Sequence, residues 1–157
     1  RACSRMGTAM TDFAGRFEGK THILPIRVYY EDTDVSGMVY HANYLRYMER
    51  ARSEFFRAAG VAKLAQLEDP EPTAWSLTRA TIEYRRPARL DDVIEVHTLL
   101  TGLTGARLAA AQKCHCAGVL LTEAQIEACL VTLTGKPRRI PERIHGALAA
   151  FLYQTHA

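Results

Sequence analysis

Tyr30-Glu31-Asp32-Thr33-Asp34-Val35-Ser36-Gly37-Met38-Val39-Tyr40-His41-Ala42-Asn43-Tyr44-Leu45-Arg46-Tyr47 is the stretch on which the fold turns, because two different periodicities meet in it. Before it, Leu24, Ile26, Val28 and Tyr30 alternate with Arg27, Tyr29 and Glu31, the period of a half-buried strand. After it, from Asn43 to Ala59, the apolar residues Tyr44, Met48, Ala51, Phe55 and Ala58 or Ala59 recur at spacings of three and four. That spacing predicts a long amphipathic helix, stopped by Gly60. The polar segment Asp32 to Gly37 is then the connection, with Gly37 available for positive φ.

Downstream, Leu64 to Thr73 carries Pro70 and Pro72 among acidic residues, which predicts a short helical turn followed by a loop. Strand patterns follow over Trp75 to Arg85, with Ala80, Ile82 and Tyr84 on one side, over Val93 to Leu100, over Ala106 to Cys116 and over Ala124 to Thr134. Breaks at Pro87 to Asp92, Gly102 to Gly105 and Gly118 separate them, so four sequential strands in an antiparallel meander are expected. Pro141 to Gln154 reads as a closing helix with Ile144, Leu148, Phe151 and Leu152 inward. Upstream, residues 1–22 lack sustained periodicity and read as a loose leader in which Met6 or Met10 could be the natural start, leaving residues 23–157 as one domain. The order of elements is α+β and not doubly wound: a five-stranded antiparallel sheet curled around a long central helix buries both apolar faces in one core.

A chain of 157 residues favours one domain, and 48% hydrophobic with 24% charged residues excludes disordered, collagenous and membrane-spanning classes. A formal charge of +3 is too mild for a dedicated nucleic-acid binder. No apolar run reaches the roughly 20 residues of a bilayer span, and Arg1 to Gly19 has no apolar h-region, so a cytoplasmic protein is expected. Cys3, Cys114, Cys116 and Cys129 form no CxxC pair and are expected to be reduced.

No GxSxG elbow or HExxH helix occurs, and Gly15 to Thr21 is one residue short of a phosphate loop. Cys114, His115 and Cys116 on an unbroken strand point to opposite faces and cannot jointly grip one metal. Chemistry instead concentrates in the junction. N–H groups at a helix start carry partial positive charge and can hold a carbonyl oxygen as it gains negative charge, and Asp34 lies where its carboxylate could reach the same carbonyl. The plainer alternatives are that Asp34 is a turn residue or helix N-cap, that His41 is a hydrogen-bonded helix-start residue, and that Tyr40 and Tyr44 are core aromatics. Lys136, Arg138 and Arg139 could hold phosphates or form a solvated loop.

Arg27-Val28-Tyr29-Tyr30-Glu31-Asp32-Thr33-Asp34, Gly37, Val39, Tyr40-His41-Ala42-Asn43-Tyr44 and Glu49-Arg50-Ala51-Arg52 resemble the hotdog-fold acyl-CoA thioesterases of the 4-hydroxybenzoyl-CoA thioesterase type, in particular the branch encoded beside the Tol-Pal envelope system. The resemblance continues through Arg85 to Asp92 and Pro137 to Pro141 and spans roughly residues 24–145. It implies a hotdog fold, homodimers or homotetramers built by joining sheets edge to edge, and active sites at the dimer interface. It places the catalytic aspartate on Asp34 and the branch's histidine, with its helix-start amide, on His41. Gly37, Val39, Tyr40 and Tyr44 are then candidate substrate-binding residues. Met38, where a β-branched aliphatic is usual, and Val35-Ser36, where smaller residues are frequent, depart from the pattern and bear on acyl preference.

The expected reaction is hydrolysis of acyl-CoA to free acid and coenzyme A without metal or cofactor. Asp34 either attacks the acyl carbonyl to form a mixed anhydride or takes a proton from water, while the helix-start amides hold the oxyanion. Lys136, Arg138, Arg139 and Arg107 are candidate partners for the phosphates of coenzyme A. The competing expectation is a non-catalytic module that binds acyl-CoA or acyl carrier protein in envelope lipid metabolism, and the donor could itself be an acyl carrier protein. A metal site built from Glu31, Asp32, Asp34 and His41 is disfavoured because successive strand residues point oppositely. A cytoplasmic setting follows, with or without peripheral contact with the inner membrane.

Overall fold

The computed structural model describes residues 13–61, 65–66 and 68–155. Cys3, Met6, Met10 and Leu64 lie outside the described residues, as does most of the proposed leader. Seven strands form one antiparallel sheet: β1 (Arg16–Glu18), β2 (Thr21–Arg27), β3 (Ala65–Gln66), β4 (Thr73–Tyr84), β5 (Val93–Leu103), β6 (Arg107–Cys116) and β7 (Val119–Thr132), in the order β1-β2-β5-β6-β7-β4-β3. Two helices, α1 (Asn43–Ala58) and α2 (Glu142–Ala149), accompany it. The five strands expected become seven because two short strands extend the edges. One of them, β1, together with the start of β2, occupies residues assigned to the leader. Ala65–Gln66 pairs with Ala74 and Thr73 as a strand where a helical turn was expected. Helix α1 has 16 residues, the length of an ordinary globular helix rather than an unusually long one.

The meander is the main correction. β5, β6 and β7 follow one another, but β4 lies beyond β7 and β5 pairs with β2. The cause is the crossing segment from Arg85 to Asp92. The backbone N–H groups of Arg85 and Arg86 donate to the Leu121 carbonyl, and the chain then passes the start of α1, where Ala88 accepts from Val39 N–H and donates to the Tyr44 hydroxyl. Asp92 accepts from Val28 N–H, so β5 emerges beside β2. The first strand also ends earlier than its pattern, at Arg27, because Tyr30–Asp32 forms a 3-10 turn that leaves Tyr30 83% exposed. β7 begins at Val119 and not at Ala124, since the tight turn at Ala117-Gly118 lets Val119 pair at once with Cys116. α2 ends at Ala149, and Leu152 then bridges to Leu100.

One face of α1 supplies Tyr44, Tyr47, Met48, Ala51, Phe55 and Phe56 to the core, whereas Ala58 is exposed and Gly60 turns the chain away at φ +91°. They meet Ile94 and Val96 of β5, Cys114 of β6 and Ile126 and Leu130 of β7. Gln112, fully buried, pins helix to sheet: its Nε2 donates to the Met48 carbonyl and the Thr98 hydroxyl at 2.9 Å each, and its Oε1 accepts from Arg52 at 2.8 Å. β4 is the outlier, for Ala80 is exposed and Tyr84 is 47% exposed where the alternation predicted burial. A register irregularity between Cys114 and His115 keeps Cys116 against the core and sets the His115 ring 4.6 Å from that of His97.

His22 and His97 both have imidazoles held below their ordinary value of 6.5, by burial first in each case and for His97 next by the neighbouring His115. Glu95, Glu18 and Arg16 also face His97 and do not reverse this. A group whose folded pKa is depressed in this way resists protonation in the folded state. Its contribution is therefore present above about pH 6.5 and is lost as pH falls toward the folded value. Urea unfolding followed across pH is expected to show a midpoint that is steady near about pH 7 and declines below about 6.5, with a shallower decline in His97→Gln.

Candidate functional site

The junction is shaped by backbone satisfaction. The Asp32 carboxylate accepts the Tyr29 N–H at 2.8 Å and holds the 3-10 turn closed. The Asp32 carbonyl accepts both the Tyr40 N–H and the Asn43 side-chain amide, which ties the turn to the first residue of α1. Between these anchors the loop folds back on itself. Asp34 N–H donates to Met38, Gly37 N–H donates to Asp34, and Gly37 adopts φ +75°, the left-handed conformation a glycine takes without strain. Asp34 is thus a turn residue and not the N-cap, a position held by Ala42 with no capping side chain and no acidic residue in the first turn. No acidic side chain within the first turn of α1 offsets the positive end of the helix.

Asp34 and His41 line one cavity of about 350 Å³ together with Met38, Val39, Tyr44 and Tyr84, and Arg85 and Arg86 stand at its edge. Both the hydroxyl and the N–H of Ser36 donate to Asp34 Oδ1 and hold the carboxyl below its ordinary value, with the charge of His41 a minor contributor. The carboxylate is exposed and ionised at neutral pH. The His41 ring lies 4.4 Å from that of Tyr40 and edge-on to Tyr84 at 6.2 Å. Tyr84 donates from its hydroxyl to the His41 carbonyl at 2.9 Å, which fixes the peptide at the entrance to α1. Tyr44 is buried, accepts the Ala88 N–H at 3.0 Å, and is pushed to a higher pKa by desolvation.

Of the candidate residues, Asp34, Val39, His41 and Tyr44 come together. Gly37 shapes the loop without lining the cavity, and Tyr40 supports the His41 ring from outside it. Arg107, Lys136, Arg138 and Arg139 gather at the opposite end of the sheet. There Arg138 N–H donates to Leu130, Arg107 pairs with Cys129, and the Arg138 guanidinium meets Glu71 at 2.5 Å. The run of β7 from Leu130 to Thr122, which faces Tyr84, spans on the order of 25 Å, so within one chain these cations do not reach the Asp34 cavity. The residues that do, Tyr84, Arg85, Arg86 and Pro87, lie where the sequence pattern marks only a strand end and its proline break. A basic pair directly before a strand-breaking proline was the available signal.

Comparison with known proteins shows the family. The sequence profile of the Thioesterase-like superfamily matches residues 28–148. The chain is 41% identical over 122 residues to the acyl-CoA thioester hydrolase YbgC of Escherichia coli O6:H1, covering 76% of this chain and 90% of that protein. It is 36% identical over 124 residues to the acyl-CoA thioesterase YbgC of Haemophilus influenzae, covering 78% and 90%. The crystal structure of a probable thioesterase from Bartonella henselae superposes with a TM-score of 0.73 at 38% identity, over 77% of this chain and 99% of that one. Since these matches take in the junction, α1 and most of the sheet, the chain belongs to the thioesterase-like superfamily and is a thioesterase enzyme of hotdog-like fold.

Proposed function

We propose that the enzyme hydrolyses acyl-CoA thioesters in the Asp34 cavity. The observation that carries this reading is an exposed, ionised carboxylate sharing one cavity with His41 and the uncapped start of α1. With the thioester carbonyl set against the His41 amide, negative charge developing on its oxygen meets the positive end of the helix. Asp34 Oδ2, the oxygen not engaged by Ser36, either bonds to the carbonyl carbon while the C–S bond breaks, giving a mixed anhydride that water cleaves, or takes a proton from the attacking water. The leaving thiolate has a pKa near about 8.5 and needs little protonation. Tyr84 and Tyr44 form the wall against which the acyl group lies, and Gly37, Val39 and Tyr40 hold the loop that presents Asp34. The junction motif supports the 4-hydroxybenzoyl-CoA thioesterase type and its Tol-Pal-associated branch. With that branch come a cytoplasmic setting and coenzyme A or acyl carrier protein as donor.

The same reading includes a homodimer. β3 covers only Thr73 and Ala74 of β4, so among the described residues the outer edge of β4 from Trp75 to Tyr84 has no strand beside it. Two such edges joined antiparallel about a two-fold axis bring the Thr73 end of one chain to the Tyr84 end of the other. The basic group around Arg138 and Arg139 then stands beside the partner's Asp34 cavity, where it meets the phosphates of coenzyme A.

Asp34→Asn keeps the shape and removes the reacting charge. It is expected to lower kcat on the best acyl-CoA by about 10²–10⁴-fold, and retained binding with parental turnover would refute the role of Asp34. Ser36→Ala removes the hydroxyl donor, so the Asp34 carboxyl is expected to titrate closer to its ordinary value of 3.8, with the acid limb of the pH–rate profile moving upward. Sedimentation equilibrium is expected to give at least twice the 17.5 kDa of one chain, and a monomer with full activity would remove the dimer from the reading.

A further inference from the structure

His22, on β2, is fully buried and boxed by rings. Phe17 of β1 lies edge-on to it at 5.2 Å and Phe55 of α1 edge-on at 6.2 Å, while Phe151, beyond the end of α2, stacks on Phe17 at 4.3 Å. Its Nε2 is 3.1 Å from the Ala14 carbonyl, which can only accept, so Nε2 carries the proton and Nδ1 is left as an acceptor. Nδ1 is shut off from water and has no hydrogen-bond partner among the described residues. The residues leading into β1 lie flush on this ring. Gly15 sits at φ +73°, and a Cβ built there would overlap the Ile23 carbonyl and stand 2.7 Å from the His22 ring.

Few charges face the imidazole. From α1, Glu54 acts on it through space and is itself paired with Arg57 at 2.8 Å. From β5 the facing residue is Thr98, whose hydroxyl already accepts from Gln112. Arg16, Glu18 and His97 belong to the opposite face of the sheet, since their pairing places them with Ile23 and Thr21. Burial therefore prevails over Glu54 and the Ala14 carbonyl and holds the His22 imidazole below its ordinary value.

We propose that residues 13–15 together with β1 form an acid-released clasp, closed while His22 is neutral and swung off β2 when protonation places on Nδ1 a second N–H that has no acceptor in the closed form. An imidazolium among apolar rings with one donor unpaired is costly, and the cheapest relief is movement of the clasp. It holds β2 by only three residue pairs, and among the described residues no strand lies on its outer side. Opening wets His22, bares the ring of Phe55 and frees the edge of β2 from Thr21 to Ile23. Because the closed form favours the neutral ring, the open form gains as pH falls below 6.5 toward the lowered folded value. The clasp stands about 17 Å along β2 from the junction end at Arg27, so its movement does not depend on the role of Asp34.

Hydrogen–deuterium exchange of the full chain, read as protection corrected for the intrinsic effect of pH on exchange, reports the clasp directly. Residues 13–23 are expected to lose at least tenfold in protection between about pH 7.5 and about pH 5.5, while β6 and β7 hold within about twofold. His22→Gln keeps a side-chain donor for the Ala14 carbonyl and has no charge to gain, so its protection is expected to change less than about twofold over the same interval. His97→Gln is expected to keep the parental loss, and Gly15→Ala, whose Cβ has no room, is expected to show weak protection at both pH values. The proposal is overturned by protection of residues 13–23 that ignores pH in the parent, by a loss that runs equally through β6 and β7, by a parental loss in His22→Gln, by its disappearance in His97→Gln, or by full protection of Gly15→Ala at both pH values.

Discussion

The Asp32 carbonyl is the point on which the site depends. It accepts from the Tyr40 N–H and from the Asn43 side chain, while the carboxylate of the same residue closes the preceding turn on Tyr29. Each such bond is worth only about 1 kcal/mol net, but Asp32 and Asn43 are buried, and a buried donor left without its partner costs about 1–3 kcal/mol. One residue therefore ties the turn after β2 to the start of α1, and the loop from Thr33 to Val39 is strung between these anchors. The loop carrying Asp34 is free to be polar and exposed because its two ends are held here.

The second constraint is Gln112. An amide buried on the inner face of a sheet is costly unless all its capacity is used, and this one reaches the Met48 carbonyl, the Thr98 hydroxyl and the Arg52 guanidinium. It sets the height of α1 over β5 and β6 where side-chain packing alone would allow sliding. The aromatic residues then divide the work along the helix. Tyr44 and Tyr47 pack toward the junction, and Phe55 and Phe56 pack toward α2.

What was legible in the sequence was whatever a local period encodes. The boundaries of α1 and its stop at Gly60 follow from the three-and-four spacing, and the break at Gly118 follows from its need for φ +79°. Strand order was not legible, because a period of two states which residues share a face and says nothing about which strand lies alongside. β4 illustrates this: its alternation is real, yet it lies next to the sheet edge, so Ala80 and Tyr84 are not covered as a central strand's residues would be. Tyr30 continued the apolar pattern of β2 and was misjudged, since the 3-10 turn enforced by Asp32 rotates it outward. Asp34, His41 and Tyr44 were found because they are neighbours in sequence. Arg85 and Arg86 were missed because only the crossing segment brings them there.

On the proposed reading, the kind of charge found at the start of α1 follows from the reaction. A thioester carbonyl acquires its negative charge only in passing, so the best stabiliser is one that binds the transition state more tightly than the product. The partial positive charge at the start of the helix meets that demand, whereas a full guanidinium at the same point would grip the product carboxylate as well and slow its departure.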